Sequence, residues 1–139
     1  MRFRVPLLTS ALIVALVFGT DVMGYLGGGD YDGPMGGTTT ATTIKGTLYA
    51  TVGPGFVITL KKKSGVVVTS VKTGTWKIVV DDKSSVHNFH LTGPGTVNKT
   101  TTVSQIIKKT WTVTLKAGTY TYKCDPHATT MKKTFKVIT

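Results

Sequence analysis

The chain has 139 residues, which is enough for one domain with a hydrophobic core of its own. It carries 17 lysines and arginines against 6 aspartates, with no glutamate, so its formal net charge is +11. This excess favours anionic partners, but the lysines are spread along the chain without an arginine-rich arm or a stacked aromatic motif, so nucleic-acid binding is not expected. The single cysteine excludes an internal disulfide bond.

The first 43 residues contain two segments that are not expected to form a hydrophobic core. Arg2 and Arg4 precede an apolar run over residues 7–18, a pattern typical of a signal peptide and short for a membrane span of about 20 residues. Residues 1–20 are therefore predicted to be a signal peptide, or an anchor where cleavage does not occur. Residues 21–43 are rich in glycine, threonine and aspartate, which predicts a disordered linker. We expect export to the periplasm, the medium or the outer face of the membrane.

From residue 44 to residue 139 the sequence indicates a series of short strands. Apolar and polar residues alternate in short runs, and turns rich in glycine, proline or lysine separate the runs. The predicted strands cover residues 48–52, 56–60, 66–71, 76–80, 86–91, 103–107, 111–115, 120–124 and 135–137. Many short strands at regular spacing, without helical periodicity, predict an all-β fold in which an antiparallel sandwich or barrel encloses the core.

One segment near the C-terminus concentrates side chains that bind metal ions. Cys124, His127 and Met131 offer a thiolate, an imidazole and a thioether, which suit copper better than magnesium or calcium. Alternating residues precede and follow the segment, so it is predicted to be a loop between two strands. A small buried core residue is the alternative interpretation of Cys124 alone, since it continues an inward-facing alternation. The nearby imidazole and thioether favour the metal.

The segment resembles the copper loop of the cupredoxins, the blue copper proteins that include plastocyanin, amicyanin and azurin. Those proteins take Cys, His and Met from one loop and a second His from far upstream, often followed by Asn. His87 and Asn88 match that upstream pair. The resemblance covers residues 44–139 and implies a cupredoxin-like Greek-key β-sandwich.

The resemblance also implies one type 1 copper. His87, Cys124 and His127 would bind it in a trigonal plane, and Met131 would be the weak axial ligand. The spacing between the loop histidine and the methionine is one residue shorter than in plastocyanin. This difference bears on the geometry of the axial bond more than on copper binding itself.

Two upstream histidines compete for the remaining ligand position. His87 and His90 are three residues apart, so on a strand they face opposite sides and only one easily reaches a given metal. The His-Asn match selects His87, which leaves His90 exposed or behind the ligands. The resemblance further implies that Asn88 ties the two ligand-bearing segments together by hydrogen bonds.

Around the loop histidine the resemblance implies an apolar surface, which Leu91, Pro94, Pro126 and Ala128 are expected to build. Asp125 is predicted to be a turn residue, because a carboxylate is a hard ligand beside a thiolate.

These features predict an exported electron carrier that is not an enzyme and has no catalytic residues. A copper chaperone or buffer is the alternative, and it would need an exposed site whose ligands exchange. A copper enzyme would need a second centre, for which only His90 remains. Residues 44–139 carry fifteen lysines and three aspartates, so we expect its partners to be acidic redox proteins or an anionic envelope surface. The protein itself is expected to be a monomer.

Overall fold

The computed structural model describes residues 41–139. The predicted signal peptide and nearly all of the predicted linker lie outside the described residues, so both stay predictions. Between residues 41 and 139, no helix is long and apolar enough to cross a membrane.

The described residues form nine strands, which confirms the predicted all-β fold. They are β1 (Ile44–Val52), β2 (Ile58–Lys62), β3 (Ser70–Lys72), β4 (Gly74–Asp82), β5 (His90–Gly93), β6 (Val97–Thr100), β7 (Ile107–Leu115), β8 (Gly118–Lys123) and β9 (Lys132–Ile138). They build two sheets with the strand orders β2-β1-β4-β7 and β3-β9-β8-β5-β6.

Each sheet contains one parallel pair of strands. β1 runs parallel to β4, and β3 runs parallel to β9, whereas the other neighbouring strands are antiparallel. The sequence predicted antiparallel pairing throughout. Alternation along a strand is the same for both kinds of pairing, and only the longer connections decide the direction of a neighbour.

The core lies between the two sheets and consists of the inward-facing residues of the alternating strands. Tyr120 stacks on Phe135 with ring centroids 5.3 Å apart, and its hydroxyl donates to the carbonyl of Pro94 at 3.0 Å. Gly93 lies against the same ring, and a Cβ atom at that position would collide with it. The core therefore requires glycine there, although the residue lies within β5.

The directions of the strands bring four loops to one end of the sandwich, which we call the loop end. β4 ends and β7 begins there, since Asp82 pairs with Ile107. In the other sheet β5 and β9 begin, and β6 and β8 end, at that same side. The loops comprise residues 53–57, 83–89, 101–106 and 124–131.

Three predicted strands begin later than the alternation indicated. β2 begins at Ile58, because the Gly53 amide donates to the Val57 carbonyl at 2.8 Å and closes a short loop. β5 begins at His90, and residues 86–89, where its start was predicted, belong to a loop. The third is β3, which is limited to Ser70–Lys72. The separate strand predicted over residues 103–107 is wrong, because residues 101–106 form a loop in which Ser104 has a left-handed φ of 80°, and β7 extends the predicted strand 111–115 back to Ile107. At these places the alternation of apolar and polar residues in the sequence extends beyond the strand into a loop, where the apolar side chains face solvent.

Candidate metal centre

Three side chains of the loop end converge on one point. The Nδ1 atoms of His87 and His127 are 3.0 Å apart, and each lies 3.6 Å from Cys124 Sγ. Cys124 is fully buried, His87 is 2% exposed, and His127 is half-buried. The structure thus brings together the three residues that the sequence predicted as in-plane ligands, from two loops that are distant in the sequence.

The size of this triangle fits a transition-metal ion. A point inside it lies about 2 Å from all three donor atoms, which is the length of a bond from such an ion to nitrogen and slightly short of the ~2.3 Å typical for sulfur. A thiolate with two imidazoles is a donor set that selects copper or zinc over oxygen-preferring ions. The distance of 3.0 Å between the two imidazole nitrogens is also short enough for a hydrogen bond from one ring to the other.

The loop after β8 places Cys124 and His127 by its own backbone bonds. Cys124 continues the inward face of β8, as the alternation predicted, and its amide donates to the Met131 carbonyl at 2.9 Å. The His127 amide donates to the Cys124 carbonyl at 3.2 Å, and the Met131 amide donates to the His127 carbonyl at 2.8 Å. The eight residues are thereby closed into a compact turn, and little freedom is left for the ligands.

Met131 is fully buried at the end of this turn and belongs to the core cluster. Its backbone is bonded to both Cys124 and His127. A thioether is a suitable weak fourth ligand for copper, and Met131 is the methionine of the turn that carries Cys124 and His127.

His87 is held in place by a close approach of two loops. Gly53 has a φ of 64°, and a Cβ on it would lie 2.7 Å from Ser84 Cβ and 3.5 Å from His87 Cδ2. A side chain at this position would push the ligand loop away. Glycine therefore lets residues 53–57 pack directly against the segment that carries His87.

Asn88, which follows His87, joins that segment to the residue that follows Cys124. Its Oδ1 accepts from the Asp125 amide at 2.7 Å, and its Nδ2 donates to Asp125 Oδ2 at 2.8 Å. The same Nδ2 also donates to Thr100 Oγ1 at 3.0 Å. The link between the two ligand segments that the resemblance implied for Asn88 is present in the structure.

A buried carboxylate supports the other side of the same segment. Asp82, 1% exposed at the end of β4, accepts from Thr101 Oγ1 at 2.8 Å and from the Ser84 amide at 3.3 Å. Thr101 Oγ1 in turn accepts from the Phe89 amide at 2.8 Å. Burial raises the pKa of Asp82, and these hydrogen bonds act against that rise. Sequence reasoning treated Asp82 as a loop residue and did not assign it this role.

Asp125 has more partners than a turn residue requires. Its carboxylate lies 2.9 Å from His90 Nδ1 and 3.0 Å from Lys123 Nζ, in addition to its bonds with Asn88. Burial acts to raise the pKa of Asp125, but the bonds from Asn88, His90 and Lys123 outweigh it and lower the pKa to about 2. His90 lies outside the donor triangle, with its Nε2 2.7 Å from Asn98 Oδ1.

The apolar surface at the loop end differs from the expected one. Phe56 is 67% exposed, and its ring centroid lies 5.0 Å from that of His127 and 5.7 Å from that of His87. Leu91 is instead a core residue, and Pro94 lies at the opposite end of β5, against Gly118. Sequence reasoning missed Phe56 because it continues an alternating run. The Gly-Pro-Gly triplet directly before it was the available signal for a loop.

Comparison with known proteins gives information on the fold of this chain. No family model and no curated protein matches the chain. Reduced rusticyanin is 22% identical, with 69% of this chain and 81% of that chain covered and a TM-score of 0.48. Rusticyanin from Thiobacillus ferrooxidans is 22% identical, with 69% and 79% covered and a TM-score of 0.47. A point mutant of rusticyanin is 21% identical, with 69% and 80% covered and a TM-score of 0.50. Rusticyanin is a copper protein, and this chain shares its fold.

Proposed function

We propose that this chain, which has the cupredoxin fold, is an exported type 1 copper protein that carries single electrons between redox partners. The observation that carries the proposal is the convergence of Cys124 Sγ with the Nδ1 atoms of His87 and His127. One thiolate and two imidazoles in a triangle are the in-plane donors of type 1 copper, and buried Met131 supplies the weak axial sulfur. When bound there, copper supplies a one-electron couple.

The chain's own part is to keep the donors fixed. Backbone bonds close the 124–131 turn, and Asn88 ties that turn to the His87 segment, so the three donor atoms are held together from both loops. A frame that holds its ligands in one arrangement lets the site gain or lose an electron with little movement. Rigidity of this kind serves electron transfer.

A copper chaperone or buffer is the alternative, and the burial of the site disfavours it. Metal exchange between proteins requires that incoming donors reach the ion while the old ligands leave. Here Cys124 and His87 are buried, and Phe56 covers the His87 and His127 rings. A self-contained copper enzyme is disfavoured by the histidine count. The sequence has three histidines, and the third, His90, is engaged by Asp125 and Asn98.

Electrons would enter and leave through His127, the more exposed of the two imidazoles of the triangle. Its ring packs against Phe56, and the exposed side chains of Val57 and Val86 belong to neighbouring loops of the same end. An apolar contact around a half-buried ligand brings a partner's redox group close to the metal without a bulky layer of ordered water between them.

The charge at the loop end favours acidic partners or an anionic envelope surface. Seven lysines lie at this end, namely Lys83, Lys99, Lys108, Lys109, Lys123, Lys132 and Lys133. The three aspartates of residues 44–139 are there too, but each is engaged by a bond to a neighbouring side chain. The exposed charge is therefore largely positive, and its field would steer a monomer to acidic proteins over a range of about 8 Å at physiological salt.

The visible spectrum of the purified domain with copper(II) tests the copper assignment. We expect an intense thiolate-to-copper band that disappears in Cys124→Ser, because an alkoxide cannot replace the thiolate in that transition. Cys124→Ser also keeps the size of the side chain, so loss of colour does not reflect a cavity. A copper(II) complex of the wild type with weak d–d absorption only would reject electron transfer and favour the chaperone.

The partner assignment has its own experiment. Electron-exchange rates with an acidic and a basic small redox protein are measured between low and high ionic strength. We expect the rate with the acidic protein to fall as salt rises and the rate with the basic one to increase. A rate with the acidic protein that does not depend on salt would reject steering by the lysines and leave the copper assignment intact.

A further inference from the structure

The two residues that directly follow the proposed ligands His87 and Cys124 are hydrogen-bonded to each other. Asn88 follows His87, Asp125 follows Cys124, and the two exchange a pair of hydrogen bonds at 2.7 and 2.8 Å. A reciprocal pair of this kind fixes the distance and the relative orientation of the two backbones. Any movement of the Asp125 side chain therefore acts on the geometry of both ligands.

Two further groups act on the same carboxylate from the neighbouring strands. His90, the first residue of β5, has its Nδ1 2.9 Å from each oxygen of Asp125, and Lys123, the last residue of β8, has its Nζ 3.0 Å from Oδ1. On its other side the His90 ring lies 2.7 Å from Asn98 Oδ1 of β6. Hydrogen bonds that involve a carboxylate are shorter and stronger than neutral ones.

We propose that His90 is a positioning residue for the metal centre, which acts through Asp125 to hold Cys124 and His87 at their metal-binding distance. We call the contact of Asn88, His90 and Lys123 with the Asp125 carboxylate the Asp125 clamp. The third histidine of the chain is thus neither a ligand nor an ordinary surface residue. The proposal rests on the proposed copper function in that it assigns the same site its supporting residues.

The geometry indicates why the imidazole contributes more than the lysine. His90 is half-buried and held at both ring nitrogens, by Asp125 and by Asn98, so its position is set by two strands. Lys123 reaches the carboxylate with a flexible chain, and its charge is partly solvated. Lys132 provides a control for charge alone, since it pairs with Lys123 across β8 and β9 and has no bond to Asp125.

The first experiment uses the metal-free protein and measures exchange of the Asp125 amide proton by NMR. That amide donates to Asn88 Oδ1 and reports directly on the clamp. We expect His90→Phe, which keeps a ring and removes both nitrogens, to speed its exchange by about tenfold or more. His90→Gln, which keeps an amide donor, should restore part of the protection, and Thr92→Val on the same strand should have no effect. Unchanged exchange in His90→Phe would overturn the proposal.

The second experiment measures copper affinity and the spectrum of the same variants. Residues behind the ligands of metal sites typically change affinity by about 10–100-fold when removed. We expect such a loss of copper(II) affinity in His90→Phe and Asp125→Asn, with a shift of the thiolate-to-copper band, and a smaller loss in Lys123→Met. Lys132→Met should leave both unchanged.

The outcomes separate this proposal from the copper function. A wild type without a thiolate-to-copper band would reject the function, while amide exchange would still decide the clamp. Should His90→Phe not fold, Asp125→Asn and His90→Gln carry the test. Variants that lose stability but keep wild-type copper affinity and band position would show a merely structural role and overturn the positioning role of His90.

Discussion

Replacement of Asn88 by alanine tests the link between the two ligand segments most directly. The side chain is 3% exposed and makes three hydrogen bonds, to Thr100 and to the side chain and amide of Asp125. Each neutral bond contributes about 1 kcal/mol and the bond to the carboxylate about 1.5–3 kcal/mol, for a gross loss of about 4 kcal/mol. The Asp125 side chain is 40% exposed, so water replaces part of this. We expect a net loss of about 3 kcal/mol in unfolding free energy.

The assay is thermal unfolding of the copper-free protein, in which metal binding does not contribute. For a domain of this size, a loss of about 3 kcal/mol lowers the melting temperature by about 10–20 °C. Thr92→Ala is the control, because Thr92 lies further along the chain in β5 and its register partners, Asn98 and Thr121, are not ligands. If Asn88→Ala melts within about 3 °C of that control, the three bonds do not hold the loops together and the reasoning fails.

Three further predictions concern the ligands and the charge beside them. His87→Ala should abolish the strong copper band, whereas His90→Ala should weaken copper binding and keep a band; the reverse pattern would show His90 to be the ligand. Met131→Leu should keep the colour and raise the reduction potential, by about 60 mV for each tenfold loss of cupric over cuprous affinity, and an unchanged potential would exclude an axial bond. Since the pKa of Asp125 is lowered from 3.8 to about 2 in the fold, its carboxylate adds stability that is complete above pH 4 and is lost as the pH falls through about 2. Urea unfolding of copper-free wild type and Asp125→Asn should therefore differ near neutral pH and converge toward pH 2, and a difference that does not depend on pH would contradict this.

The sequence predicted those parts of the site that depend on local periodicity. Cys124 follows Tyr120 and Tyr122 at spacings of two, and all three point inward in the structure. Its distance from His127 is set by a few bonds of the same loop. By contrast, His87 lies 37 residues upstream of Cys124, and spacing alone could not choose it over His90. His87 was selected by the resemblance of the His-Asn pair to the cupredoxin pattern.

The apolar surface around the loop histidine could not be predicted, because it depends on which end of the sandwich each residue occupies. Pro94 was expected near the loop histidine, but β5 begins at the loop end with His90 and carries the chain away from it to Gly93. Four residues of strand span about 13 Å. Phe56 was missed for the opposite reason, because its alternation predicted a strand and the closed loop from Gly53 to Val57 overrode it.

The arrangement of the two carboxylates explains how this end of the sandwich supports the donor triangle. Asp82 fixes the His87 segment from the side of β4 through Thr101 and the Phe89 amide, and Asp125 fixes it from the side of β8 through Asn88. With both in place, the segment is bonded at each of the two residues that follow His87. The approach of the two imidazoles to 3.0 Å is thereby supported from the side of both strands. Removal of one carboxylate should therefore loosen His87 more than it loosens the compact turn that holds Cys124 and His127.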